Sequence, residues 1–215
     1  MALADPLPQA AFFDLLQLQD ANFVQSWQQQ RSATGGGETR YADRAPSLWK
    51  ADCTTIPMQI ADGEGISALI NSGAGGIKTA LLHNARLPYP ATDPLGTIMG
   101  VTVPKLGTIT DRLHVAFTGF PASYVLPLGT FFGLVFDTSR YYLGQLVETR
   151  TANGSGVVSS VEIWPPLPAS VSGTPDVSVK KPPAKFRIMP GSAYPSKVDG
   201  TLTTIQFSAE QTYSR

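Results

Sequence analysis

Charge is scarce in this chain. Asp, Glu, Lys and Arg make up 15% of its 215 residues, with 16 basic balancing 16 acidic, against about 25% in an average soluble domain. A chain without clustered Lys and Arg lacks the patch that neutralises phosphates, which argues against a nucleic-acid binder. Weak surface charge also gives little repulsion between copies and suits a protein that hides surface in an assembly. The competing explanation is that Gly, Ser, Thr and Pro have replaced charge in a loop-rich β protein. Cysteine is nearly absent. Cys53 alone excludes an intrachain disulfide and a Cys-rich metal site, and reads as a small buried hydrophobe. There is no apolar run of about 18 residues to form a membrane-spanning helix, and no basic start followed by an apolar run, so neither membrane insertion nor a secretory leader is expected.

The motifs of enzymes are missing too. No Gly-x-Ser-x-Gly, no His-Glu-x-x-His and no paired-histidine spacing occurs. His83 and His114 are far apart and neither has a carboxylate at ligand spacing; His114 is expected to face solvent or a partner. Asp62 and Glu64 stand at i,i+2 among glycines but lack the ligand pattern of a calcium loop. Asp43, Asp52 and Asp62 read as turn and cap residues. The glycines at 35–37 follow no strand and precede no Gly-Lys-Ser/Thr, so they are not a phosphate loop. The sequence therefore predicts no catalytic residue, no cofactor and no metal.

What the chain has in plenty is glycine (20), proline (18) and short apolar runs between them. Leu113, Val115 and Phe117 alternate with Arg112, His114 and Ala116; Phe131–Phe136 follows a Pro-Leu-Gly turn; Asn153-Gly154 is a hairpin signal. Strands are predicted near 108–117, 131–137, 141–148, 157–164, 185–189 and 202–208, with Val177 and Val179 as a two-point strand. In the strand after the Asn153 turn, Val157, Ser159 and Val161 are assigned to one face and Val158, Ser160 and Glu162 to the other. Phe131, Phe132, Val135, Leu143, Val147, Val161 and Ile163 are expected in the core.

The one long helix predicted covers 10–30, from an imperfect apolar stripe of Phe12, Phe13, Leu15, Leu16, Leu18, Phe23, Val24 and Trp27; the alternative is two short helices broken at Asp20 and Asn22. The fold class is thus mainly β: an antiparallel β-barrel or sandwich hub with a short N-terminal helical segment. The division expected is a helical segment at 1–34, a strand and glycine-rich arm region at 35–100, and a β-rich hub at 101–215, possibly one barrel completed by N-terminal strands. Glycine-rich stretches at 34–37 and 62–76 are expected to be mobile until assembly, with Ile66–Asn71 as one helical turn. The Pro/Ser/Gly-rich 168–184 reads as a contact loop or an ordinary surface loop.

Three segments carry a resemblance: Leu126-Pro127-Leu128-Gly129-Thr130-Phe131-Phe132, Tyr141-Tyr142-Leu143-Gly144 and Val161-Glu162-Ile163-Trp164-Pro165-Pro166-Leu167. Their order resembles the distal tail protein, a baseplate hub protein of long-tailed bacteriophages and phage-like gene transfer agents. Phe186–Met189 with Thr203–Phe207 is similar to the closing hairpin of that hub. The resemblance covers residues 100–210 and implies a non-enzymatic virion protein in the tail, assembled in the host cytoplasm. It further implies a homo-oligomeric ring, a hexamer, between the tail tube and the baseplate hub proteins. The long glycine-rich segment 58–95 and the N-terminal apolar stripe depart from that pattern and point to another tail-tube or baseplate role. A carbohydrate- or receptor-binding tail module is the second reading, with Trp49, Tyr89, Tyr124, Tyr141, Tyr142 and Trp164 as stacking faces. A hydrolase of unrecognised type is the third.

Overall fold

Strands dominate from residue 18 onward in the computed structural model, which describes residues 4–33 and 35–214. β1 (Leu18–Ser26), β2 (Gln29–Ala33), β3 (Thr39–Asp43), β4 (Leu48–Thr55) and the short β5 (Met58–Gln59) precede α1 (Ile60–Asn71). β6 (Ala80–Leu82), β7 (Lys105–Ile109), β8 (His114–Thr118), β9 (Val125–Leu126), β10 (Phe131–Phe136), β11 (Arg140–Leu146) and β12 (Arg150–Thr151) follow. β13 (Val158–Trp164), β14 (Val177–Ser178), β15 (Ala184–Ile188), β16 (Tyr194–Lys197) and β17 (Leu202–Gln211) complete the order. No helix among the described residues is long and apolar enough to cross a membrane.

The predicted helix over 10–30 does not form. Two 3₁₀ turns, Gln9–Ala11 and Phe13–Leu15, take its beginning, and the rest is β1 and the start of β2. The apolar stripe was a composite. Phe12, Phe13 and Leu16 are buried from the 3₁₀ turns, whereas β1 alternates, with Ala21 inward and Asp20, Asn22 and Val24 outward. Pairing of Ala21 with Cys53 and Phe23 with Ala51 of β4 supplies a tertiary ladder, and such a ladder overrides weak local helix propensity. Residues 1–3 and Thr34 lie outside the described residues.

Two antiparallel sheets organise the molecule. One runs β1-β4-β17-β15-β6, with β16 and β5 also paired to β17; the other runs β14-β10-β11-β13-β8-β7. Each draws on its own part of the chain: the first joins N-terminal strands to the last ones, so β15 to β17 leave the hub region and pair with β4 and β6. The second sheet rolls until its ends meet. An isolated bridge links Lys105 and Asp176, Leu106 N–H donates to Pro175 O (2.9 Å) and Val177 N–H to Pro104 O (2.8 Å). No continuous ladder closes the roll, so the architecture is two sheets packed face to face rather than a closed barrel.

β10 explains the packing. Its sequence Phe-Phe-Gly-Leu-Val-Phe lacks polar alternation because both its faces are covered over most of its length. Phe132, Leu134 and Phe136 point into the roll with Phe117, Tyr142 and Val161. Phe131, with Leu143 of β11, points the other way into a second core against Trp49, Phe186 and Phe207. There the Trp49 indole N–H donates to Leu143 O at 2.8 Å, and its ring lies 5.2 Å from Phe131. Of the expected core residues, Phe132, Val161 and Ile163 line the roll, and Phe131 and Leu143 serve the other core. Val135 and Val147 are not core: both project outward and are exposed, because strand alternation turns Val135 away from its buried neighbours and Val147 lies one residue past the end of β11.

Three local features depart from the sequence pattern. In β13 the register with β8 shifts between Val158 and Val161, where Ser160 has φ of 45°. This bulge puts Val158, Val161 and Ile163 inside together and breaks the simple alternation expected from 157 to 162. The Asn153 turn forms, with its side-chain oxygen accepting the N–H groups of Ser155 and Val157. It joins β12, which pairs with β9, to β13 in another sheet, so it is a turn without a hairpin ladder. Residues 60–71 are a full α-helix rather than one turn and a glycine loop. Gly63 is there because a Cβ would stand 2.3 Å from Thr203 Cγ2, so only glycine lets α1 lie on β17.

Candidate assembly surfaces

The segment Leu95-Gly96-Thr97-Ile98-Met99-Gly100-Val101-Thr102-Val103 is apolar, yet Leu95 (78%), Ile98 (59%), Val101 (100%) and Val103 (57%) are exposed. The loop is nonetheless tightly held. The buried Asp93 carboxylate accepts the N–H groups of Ile98 (3.1 Å) and Met99 (2.9 Å) and the Tyr124 hydroxyl (3.4 Å). Burial opposes the charged form of Asp93, but the N–H groups of Met99, Ile98 and Thr97 and the Tyr124 hydroxyl outweigh it and hold its carboxyl below the ordinary value. Lys180 Nζ donates to Gly96 O (3.3 Å) and to Gly100 O, and Met99 anchors the loop in the rolled core. A shape so fixed leaves its apolar side chains in water without the entropy to rearrange around them.

A second surface forms where the sheets adjoin. Trp27, just after β1, and Trp164, ending β13, lie 5.6 Å apart at an interplanar angle of 33°. The Trp164 indole N–H donates to Gln25 Oε1, which fixes the ring. Trp27 remains 54% exposed and stands between two grooves. One, of about 390 Å³, runs along Arg44, Ser47 and Arg112. The other, of about 570 Å³, runs over Leu128, Gln145, Val147 and Glu162. The β11–β13 pairing of Gln145 with Trp164 turns these side chains outward from the roll. Sequence reasoning missed Trp27 as a surface residue because it was counted in the helical stripe; Trp164 was among the stacking faces expected, but not its pairing with Trp27.

The third surface is the β2–β3 hairpin. It pairs only with itself, over Gln29–Asp43 to Ala33–Thr39, and apart from the partly covered Thr39 every described residue of the two strands is exposed, Tyr41 included. Asp43 accepts a hydrogen bond from Gln29 Nε2 across it at 2.8 Å. A free two-stranded ladder is marginal in water.

The residues weighed for chemistry are scattered. His114 does have a carboxylate beside it, contrary to expectation: its Nδ1 lies 2.9 Å from Asp111 Oδ2, and the same carboxylate caps the N–H groups of Leu113 and His114 in a turn. Asp62 and Glu64 are exposed in the first part of α1, not in a calcium loop. Asp52 accepts from Ser208 on β17. Cys53 is buried, and burial pushes its thiol up to about 12. Of the proposed stacking aromatics, Trp49, Tyr124 and Tyr142 are buried. Tyr142 donates its hydroxyl to Pro165 O, while Tyr89, Tyr141 and Trp164 are partly exposed. Among the described residues no group of His, Cys, Asp and Glu is placed to hold a metal.

His83 is buried against the edge of Phe13, with ring centroids 5.0 Å apart. Gln9 Nε2 donates to Lys181 O (3.2 Å) and reaches His83 Nδ1 (3.4 Å), so Nδ1 accepts and the ring is neutral. Burial depresses its pKa from 6.5 to about 4, with Asp14 opposing and Lys181 reinforcing. The unfolded chain binds the proton first. Stability linked to His83 is therefore complete above pH 6.5 and falls as pH drops from 6.5 towards 4, by up to about 3 kcal/mol. A His83→Leu variant is expected to lose less stability than the native chain over that interval in denaturant titrations. Parallel losses in the two proteins would show that His83 does not carry this sensitivity.

No protein-family model matches this chain, and no curated protein matches it.

Proposed function

We propose that this chain is a structural, non-enzymatic tail protein that assembles into a ring connecting a tail tube to a baseplate. The observation that carries the reading is the Leu95–Val103 loop. Four apolar side chains face water on a backbone held by a buried carboxylate and a lysine, which is the construction of a preformed protein interface. The low charge of the chain removes the repulsion that would keep copies apart. The resemblance of residues 100–210 to the distal tail protein supplies the kind of assembly, and with it the six-fold order. Electron microscopy of the purified chain and of its parent particle tests this: rings at a tail tip are expected. A single copy on a fibre, or no tail-like particle at all, would sink it.

A second reading has one observation in its favour. The Trp27 and Trp164 faces beside Gln145 and Glu162 combine an aromatic platform with hydrogen-bonding groups, the makings of a glycan site. Quenching of tryptophan emission by soluble oligosaccharides would favour it over the ring.

A further inference from the structure

We propose that the Leu95–Val103 loop of one copy seats in the Trp27/Trp164 groove of the next, making a head-to-tail contact between identical chains. This rests on the ring reading and names the surfaces that make it. Three observations support a second copy as the occupant.

The first is position. In the rolled sheet of order β14-β10-β11-β13-β8-β7, the loop runs straight into β7 and lies beside Val177–Lys180, at the seam where β7 meets β14. The groove lies outside the β11–β13 pair. Around the roll, two strands separate that pair from the seam in either direction, β10 and β14 on one side and β8 and β7 on the other, so the two surfaces are on opposite sides. Surfaces placed this way on one molecule cannot both meet their counterparts in a two-fold dimer. They generate a heterologous contact, which closes into a ring when the rotation permits.

The second is chemistry. The loop offers aliphatic side chains, and the groove offers Leu128, Val147 and two indole faces. The third is charge. Among the described residues, Glu162 is the only charged side chain lining the groove, and its carboxylate has no ion-pair or hydrogen-bond partner there. Among the described residues, Lys180 is the only charged side chain lining the cleft between the loop and Val177–Val179. The signs are opposite, as an interface between the two requires. The loop is also pre-ordered by Asp93 and Lys180, so little further conformational entropy is lost on docking.

The test uses the full chain in sedimentation velocity at rising concentration. Val101→Asp removes the loop's contact and Val147→Asp the groove's. Both side chains are exposed, so unchanged near-ultraviolet circular dichroism is expected. Each variant alone should sediment as a monomer. Mixed in equal amounts they should form a heterodimer and nothing larger, because only one intact loop and one intact groove remain to meet. Leu95→Asp and Leu128→Asp repeat the two arms at other exposed positions if either first variant is misfolded. Rings that persist in Val101→Asp or Val147→Asp would overturn this contact and leave the ring standing. A mixture that stays monomeric would also overturn it. A native chain that never exceeds monomer mass, alone or in the particle, would overturn the contact and the ring together.

Discussion

Truncating Phe132 to alanine is expected to cost about 3–5 kcal/mol, enough to consume much of the stability of a domain this size. The ring is buried inside the roll, 5.1 Å from Phe117 and 5.8 Å from Tyr142. Gly144 on the paired strand has no side chain because a Cβ would lie 2.6 Å from the Phe132 ring. With backbone on one side and rings on the other, the space left by alanine cannot collapse. Val135, three residues on in the same strand, points outward, and Val135→Ala should cost less than about 1 kcal/mol. Denaturant midpoints of the two variants give the comparison. An unchanged midpoint for Phe132→Ala would mean that the roll has no packed interior.

Gly156→Ala is expected to be nearly as damaging for a different reason. Gly156 has φ of 73°, and a Cβ there would stand 2.1 Å from Phe120 O. The left-handed conformation costs a non-glycine residue about 1–2 kcal/mol, and forcing two backbone segments apart about 1–3 more. Phe120 has no room to yield: its N–H donates to Gly156 O at 3.0 Å and its ring stacks on Tyr124 at 5.5 Å. Gly154→Ala is the control, since a Cβ there meets nothing within 4 Å. Thermal melts should separate the pair clearly. Equal melting temperatures would refute the close approach.

The strands of the rolled sheet were legible in the sequence because each is short, apolar and bounded by turn residues. β10, β11, β15 and β17 fall where the sequence places them, and β13 does so in extent but with a bulge that breaks its alternation. The single strand expected over 108–117 is instead the end of β7 and all of β8, parted by the turn that Asp111 caps. Two kinds of information were not local. The first thirty residues look helical because buried side chains of two 3₁₀ turns run into the inward positions of β1, and only the pairing with β4 distinguishes the two. Phe131 and Leu143 read as members of one core, but which sheet a strand's second face meets is decided by the other sheet's arrival. The ridge of Trp27 and Trp164 was illegible for the same reason, since residues remote in sequence meet only where the sheets adjoin. Asp93 organises the Leu95–Val103 loop, and nothing in its neighbours' spacing announces that role.

The position of β17 has a consequence for how the protein is made. It is hydrogen-bonded to β4 on one side and β15 on the other, so it is the middle of its sheet although it comes after every other strand among the described residues. While the ribosome is still translating, β1 and β4 can pair only with each other, and the inner edge of β4 waits for residues 202–211. The rolled sheet is complete in sequence by β14 and can fold first. The β1–β4 pair spends that interval with the β4 edge at Ala51 and Cys53 unpaired, which is the state in which such chains aggregate or engage chaperones. Slow, late closure of this sheet is thus written into the strand order, and nascent-chain lengths ending before β17 should be the ones most readily bound by holding chaperones.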